Sequence, residues 1–514
     1  MRAQPPTPPS LAETPIAKTP PGRPTLLARP VPGGWLIAAI AAWLGVGQLL
    51  LWRFLDIAPL WAYGLGAILI AGLCAAIART ARSYTGPTVA TLLLCIGLAG
   101  AILMLGGEGR FFYANIDWQV RFAALRDMSA YPWPFVYMRA EPEVLRAPVG
   151  MFLAPALIGK IAGARAADLA LLVQNSLMLG AILALLTTLF ETRRAKAVAL
   201  FVFMVFSGLD VLGRLLIHGG LSDHLENWSG LQYSSTVTLA FWVPNHAISG
   251  WIGALSFLLW RAGKIPLGAA LALLPLTALW SPLGLIGAMP FALLAGVRTL
   301  YQRSLRVPDI ALPALASLIA VPGLLYLAAA GNNVGMRAQT IVPLQWGIFE
   351  LLEILVYIAP LALMARSVRF GRDTLALVTV WLLVIPFVQI GSSIDMMMRG
   401  SICALTILAI MVADALLGEP ATRRLLIGLL AIGSITGLAE IRRALVHPPA
   451  PEVRCSIFKA WRQNFGDFPI DSYVAPLSAM PALVRPTAPA QVRPAEPPRC
   501  WDGSWYHPED PSVR

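Results

Sequence analysis

Charge is scarce in this chain. Only 13% of its 514 residues are Asp, Glu, Lys or Arg, whereas soluble domains run near a quarter. Long apolar runs recur along most of the length, and mean hydropathy is +0.69. A run of about 18 apolar residues is a candidate membrane helix. A soluble globular protein is therefore excluded, and the sequence reads as all-α, a polytopic bundle of transmembrane helices in a lipid bilayer. The formal charge of +12 would suggest nucleic acid in a soluble chain. Here the positive-inside rule accounts for it, and no nucleic-acid partner is expected. A secretory signal peptide and a clear internal repeat are also missing. The first apolar run begins near Gly34, after a Pro-rich basic stretch, 1–33, that reads as a disordered cytosolic tail.

What is present is a series of thirteen expected spans. They fall at about 34–52, 59–78, 86–106, 166–190, 196–216, 245–262, 266–281, 283–299, 308–329, 345–365, 373–391, 401–418 and 424–440. The segment 149–164, "VGMFLAPALIGKIAGA", is short and broken by Pro155 and Lys160, so it is placed at the interface. Six short connections between the expected spans are rich in basic residues: Arg79 with Arg82, "RRAK" at 193–196, Arg261 with Lys264, Arg298 to Arg306, Arg366 to Arg372, and Arg423 with Arg424. All six lie on one side if the N-terminus is cytosolic. The connections 107–149, 217–244, 330–344 and 392–400 then face outward from the membrane domain 34–440. With thirteen spans, the Pro-rich tail 441–514 is external too. Arg442 and Arg443, just after the last span, argue against that placement.

Cys74, Cys95 and Cys403 fall in helices as packing residues. Cys455 and Cys500 are the two cysteines of the tail. Either an oxidising compartment pairs them, or they are unrelated thiols.

The segment "NIDWQVRFAALRDMSAYPWP", 115–134, is unusual for so apolar a chain. Asp117 to Ala130 has helical spacing, with Trp118, Phe122 and Leu125 on one stripe. Such a helix would lie on the membrane surface. Asp117 either caps it or performs chemistry. "YPWP" ends it, and Trp118 and Trp133 suit an interfacial belt. The second external loop is dense in polar and aromatic groups: His218, Asp223, His224, Glu226, Trp228, Tyr233, Trp242 and His246. Histidines with carboxylates suit a divalent metal, although the spacing matches no strong signature. A substrate-lining loop and an ordinary capped loop are the other readings. Asp210 and Arg214 are one turn apart and are expected to pair. Asp395 and Arg399 have the same spacing.

The order of these elements resembles the GT-C class of membrane glycosyltransferases. An acid opens an external helix, "RAP" at 146–148 follows, "KIAG" at 160–163 forms a turn, and Arg165 precedes a full span. The resemblance covers about 100–210. It departs from the class in two ways: the acid is a single Asp followed by Trp, and three helices precede the loop. It implies a polyprenyl-phosphate-linked sugar donor and a glycan, lipid or protein acceptor. Asp117 would be the base, with Asp127 as a second acid. Arg399 would be the phosphate ligand and Arg337 its runner-up. Arg146, Glu226, His246 and Trp242 would complete the substrate site. No cofactor is firm, though a divalent metal is possible. The chemistry is coherent, because transfer needs a carboxylate to take the acceptor proton and cations to hold the leaving phosphate. The expected setting is a bacterial cytoplasmic membrane. Alternatives are a transporter or flippase of a lipid-linked saccharide, which predicts broken or charged helices at mid-membrane, and a surface polysaccharide polymerase or ligase.

Overall fold

The computed structural model of the protein describes residues 25–222, 224–330, 335–364, 368–391 and 393–506. Most of the expected cytosolic tail, together with Asp223 and Arg366, lies outside them. The end of that tail is not disordered: Pro30–Pro32 is a short strand antiparallel to Thr85–Thr88.

The chain is a multi-pass helical membrane protein. Among the described residues, nine helices are long and apolar enough to cross a membrane. Each of the thirteen expected segments carries a helix, but four fall outside the nine: Val89–Leu105, Pro244–Arg261, Leu267–Thr277 and Arg372–Val384. Helix Val89–Leu105 crosses Ala164–Thr187 closely because Gly180 has no side chain there. A Cβ on Gly180 would sit 2.6 Å from the Cα of Ile96. Small residues permit such approach between membrane helices. The helix Leu153–Ala162 has ten residues. At 1.5 Å per residue it spans about 15 Å, half of a ~30 Å hydrocarbon core, so it cannot cross.

Two sets of connections gather separately. Arg261 and Arg298 both bond Asp373, at 2.6 and 2.8 Å. Arg369 bonds Asp414 at 2.8 Å and also the Leu189 carbonyl. These are the basic connections expected on one face. At the other end, the 107–149 segment meets 217–244 and the chain near 330: Asn115 and Trp118 both donate to the Phe241 carbonyl, and Arg146 donates to the Leu327 carbonyl.

The C-terminal segment is part of this second end and is folded. A four-stranded sheet runs in the order Val474–Pro476, Pro142–Leu145, Phe135–Met138, Ala490–Val492. It joins the early loop to the end of the chain. Helix Ile457–Phe465 packs on Asp117–Ala130, and Trp505 donates to the Ala114 carbonyl at 2.7 Å. Cys455 and Cys500 form a disulfide. The spacing Ile457, Trp461, Phe465 gives the covering helix one apolar face.

This cover corrects one expectation. Asp117–Ala130 does not lie on a membrane surface, because it is buried on nearly every side. Trp118 is fully buried and Trp133 nearly so. Their indole N–H groups donate to the carbonyls of Phe241 and Met128, each at 2.7 Å. They serve as core residues with satisfied donors, not as an interfacial belt.

Candidate functional site

Two proline breaks shape the centre of this end. Pro244 lacks an N–H, so helix Thr236–Trp242 cannot run on into Pro244–Arg261. The break at Val243 leaves the Phe241 carbonyl to Asn115 and Trp118. It also brings Trp242, Asn245 and His246 to one place. Pro282 opens the next such helix, Pro282–Tyr301, with Ser281 accepting from the Gly284 N–H at 2.8 Å. The two breaks are tied together. Asn245 donates to the Trp280 carbonyl at 3.0 Å, and His246 Nδ1 lies 2.7 Å from Ser281 Oγ.

Between these breaks and the C-terminal cover is a cavity of about 580 Å³. Five expected site residues line it together: Asp117, Arg146, Trp242, His246 and Arg399. They come from segments almost three hundred residues apart. The cover adds Trp461, Phe465, Phe468, Asp471 and Tyr473, and apolar wall comes from Phe152, Leu283 and Ile286.

Asp117 is not the helix cap. Asn115 Oδ1 accepts from the Asp117 N–H at 3.1 Å, which leaves the Asp117 carboxylate for Arg121, also at 3.1 Å. Arg121 was not singled out from sequence, yet it is buried in the cavity wall with Nη1 lacking an acceptor. An unpaired guanidinium N–H in such a place is costly unless an anion meets it. Across the cavity, Asp395 and Arg399 form the expected ion pair at 2.6 Å. Tyr473 lies within the fields of both pairs, and burial raises its phenol above the ordinary range, so it remains a hydroxyl donor. The cavity therefore presents three carboxylates, Asp117, Asp395 and Asp471, three arginines, Arg121, Arg146 and Arg399, and aromatic faces in one space.

The other expected site residues are elsewhere. Asp127 is fully buried and does not line the cavity. It accepts from Arg126 at 2.7 Å, the Tyr137 hydroxyl at 2.8 Å and the Ile457 N–H at 3.1 Å. It therefore pins the cover to the helix. Burial pushes its carboxyl up to about 6 despite these donors. Glu226 lies behind the wall, accepting from Gln232 at 2.7 Å and the Ser235 N–H at 2.8 Å, while Gln232 itself reaches the cavity. Arg337 is on the exposed strand Met336–Ala338, 3.1 Å from Gln389. Lys160 bonds the Tyr131 carbonyl, and Arg165 packs over Phe111. Asp210 and Arg214 do not pair: Asp210 accepts from Ser207 and Thr436, and Arg214 donates to the Asn227 carbonyl. The three histidines of the second loop have separate partners, and among the described residues no group of three or more His, Cys, Asp or Glu is placed to hold a metal ion.

The cover residues had one readable signal, the amphipathic spacing of "IFKAWRQNF". Their meeting with Asp117 had none. Comparison with models of protein families, with curated proteins and with solved structures gives no match.

Proposed function

We propose that the protein is a GT-C-like glycosyltransferase that moves a sugar from a polyprenyl-phosphate carrier to an envelope acceptor. The supporting observation is that one cavity gathers Asp117, Arg121, Arg146 and Arg399 beside aromatic faces. In this reading the acceptor hydroxyl oxygen attacks the anomeric carbon and the bond from that carbon to the phosphate oxygen breaks. The carrier phosphate leaves with the bonding electron pair, and the acceptor proton passes to Asp117. Arg399 and Arg121 hold the phosphate, whose charge grows as it leaves. Trp242, Trp461 and Tyr473 stack against or donate to sugar. The apolar wall at Phe152, Leu283 and Ile286 faces the carrier's lipid. The setting is a bacterial cytoplasmic membrane with the N-terminus cytosolic and the cavity on the outer face.

The test is mass spectrometry of lipid-linked sugars and envelope glycans from cells carrying the wild type, no gene, or Asp117→Asn. The reading requires the same glycan to vanish in the last two while its lipid-linked donor accumulates. Normal glycan in Asp117→Asn cells would sink it.

A second reading, transport of a lipid-linked saccharide, is favoured by one observation. The span Arg193–His218 is unwound at 206–209, and broken helices mark binding sites in transporters. It predicts that the saccharide stays lipid-linked and only its side of the bilayer changes.

A further inference from the structure

The unwound stretch 206–209 lies near the middle of the span Arg193–His218. Its polar backbone finds partners in two other elements. Thr236 N–H donates to the Phe206 carbonyl at 3.1 Å, Leu209 N–H donates to the Leu352 carbonyl at 3.0 Å, and the Tyr357 hydroxyl donates to the Ser207 carbonyl at 2.9 Å. Leu352 belongs to a π-helical turn, Leu351–Leu355, within the span Pro343–Leu363. Two interruptions of helical hydrogen bonding therefore face each other at mid-span. π-turns and broken helices are both enriched at functional sites.

Each interruption carries a buried acid. Asp210 is 1% exposed and Glu353, the central residue of its span, is 2% exposed. The two carboxyls are within hydrogen-bonding reach of each other. Neutral donors hold the outer oxygens: Ser207 and Thr436 donate to Asp210 Oδ2 at 2.8 and 2.9 Å, and Trp228 donates to Glu353 Oε1 at 3.1 Å. Asp210 Oδ1 and Glu353 Oε2 have no donor. Gly208 makes room, since a Cβ there would collide with the Glu353 carboxyl. Among the described residues, side-chain bonds to the two acids come from Ser207, Thr436 and Trp228, none of them a cation. Two adjacent carboxylates cannot both ionise in such a place, and an acid at membrane depth is a functional candidate by default.

The surrounding titratable groups are Tyr357 and Glu350 on the span of Glu353, His224, Glu226 and Tyr233 on the second loop, and Glu440 and Arg443 on the last span, Pro420–Val446. Glu440 is already bonded to Arg443 at 2.9 Å and lies 3.3 Å from His224. Glu226 is near enough to Asp210 and Glu353 to feel their charge, and its partner Gln232 opens onto the cavity.

We propose that Asp210 and Glu353 form a mid-membrane proton-binding site, one proton shared by two carboxyls, that exchanges with the cavity through Glu226. The ligand is a proton and not a metal cation, because the two carboxyls are within hydrogen-bonding reach, each keeps one oxygen without a donor, and the bonds to the other oxygens come from neutral donors. The site does not depend on the transfer reading and is measured without any sugar.

The experiment is infrared spectroscopy of the purified full chain in lipid nanodiscs at neutral pH. In the difference spectrum of the wild type minus the double variant Asp210→Asn, Glu353→Gln, the carbonyl stretch of a protonated carboxylic acid should be present and shift in D2O. If that variant does not fold, the single near-isosteric variants serve, and each must shift the band because the paired acid has lost its partner. The band should be indifferent to exchange of sodium for choline. Glu226→Gln should keep the band and slow its deuterium exchange at least tenfold. A spectrum unchanged by substituting either acid overturns the site. Loss of the band on adding sodium, with proton release, makes it a cation site instead. Exchange at the wild-type rate in Glu226→Gln overturns the route to the cavity.

Discussion

Asp117 and Asp127 stand ten residues apart on one fourteen-residue helix, and both looked like candidate catalytic acids. Asp117, at the open end, has a single cationic partner and a cavity in front of it. Asp127, near the other end, has three donors and no access to the cavity. The same residue type on the same helix faces a cavity at one end and is a fastener at the other. What separates them is the C-terminal segment, which leaves space over Asp117 and closes down on Asp127 through the Ile457 N–H.

The largest expected effect tests the open end. Asp117→Asn should lower transfer by about 10²–10⁴ while the melting temperature stays within a few degrees, because Asn115 and not Asp117 caps the helix. Equal loss of activity and stability would erase the contrast. Next comes the fastening of the cover. Cys455 and Cys500 close a loop with a sequence separation of 45, and Cys455→Ser should cost about 4 kcal/mol on the chain-entropy account. Limited proteolysis should then cut first within 457–473. Resistance equal to wild type would show that the sheet alone holds the cover.

At the closed end, Asp127→Ala strands the Tyr137 hydroxyl and the Ile457 N–H and should cost about 3 kcal/mol, read by thermal melting. Activity per folded molecule should remain. A variant that melts normally yet is inactive would move Asp127 into the chemistry. Arg399→Lys keeps the charge but loses the two-pronged geometry. It should raise the KM for donor about tenfold, with folding unchanged.

The smallest effect is the pH response of Asp127. Its carboxyl is raised from 3.8 to about 6 by burial, so the folded protein holds this proton more tightly than the unfolded chain does. Its contribution is full below the unfolded value and is lost as pH rises through about 6. Acidifying from pH 7 to pH 5 should therefore stabilise the wild type over Asp127→Asn by about 1 kcal/mol. An opposite sign would mean that Arg126 and the other donors outweigh burial.

Local patterns were readable where the chain itself enforces them. The helix Asp117–Ala130 followed from spacing and from "YPWP" after it, and the Asp395–Arg399 pair from its one-turn separation. The same rule failed at Asp210 and Arg214, because Ser207 in the adjoining unwound stretch and Thr436 from the last span bond Asp210 instead. Thirteen spans were expected by hydropathy, yet among the described residues nine helices meet both length and composition. Pro244 and Pro282 cut some apolar runs into shorter helices.

The sequence by itself determined that the chain enters a membrane, since a run of apolar residues has no other stable solvent and backbone groups in lipid must bond within a helix. It also set the punctuation, because proline lacks an N–H wherever it occurs. Only the tertiary structure decided which acid faces a cavity, which arginine accompanies it and what covers both. Those choices rest on strands 135–145 pairing with 474–492 and on residues 117, 246, 399 and 473 meeting in one cavity. Contacts across hundreds of residues leave no periodicity in either partner, and nothing in a local window can report them.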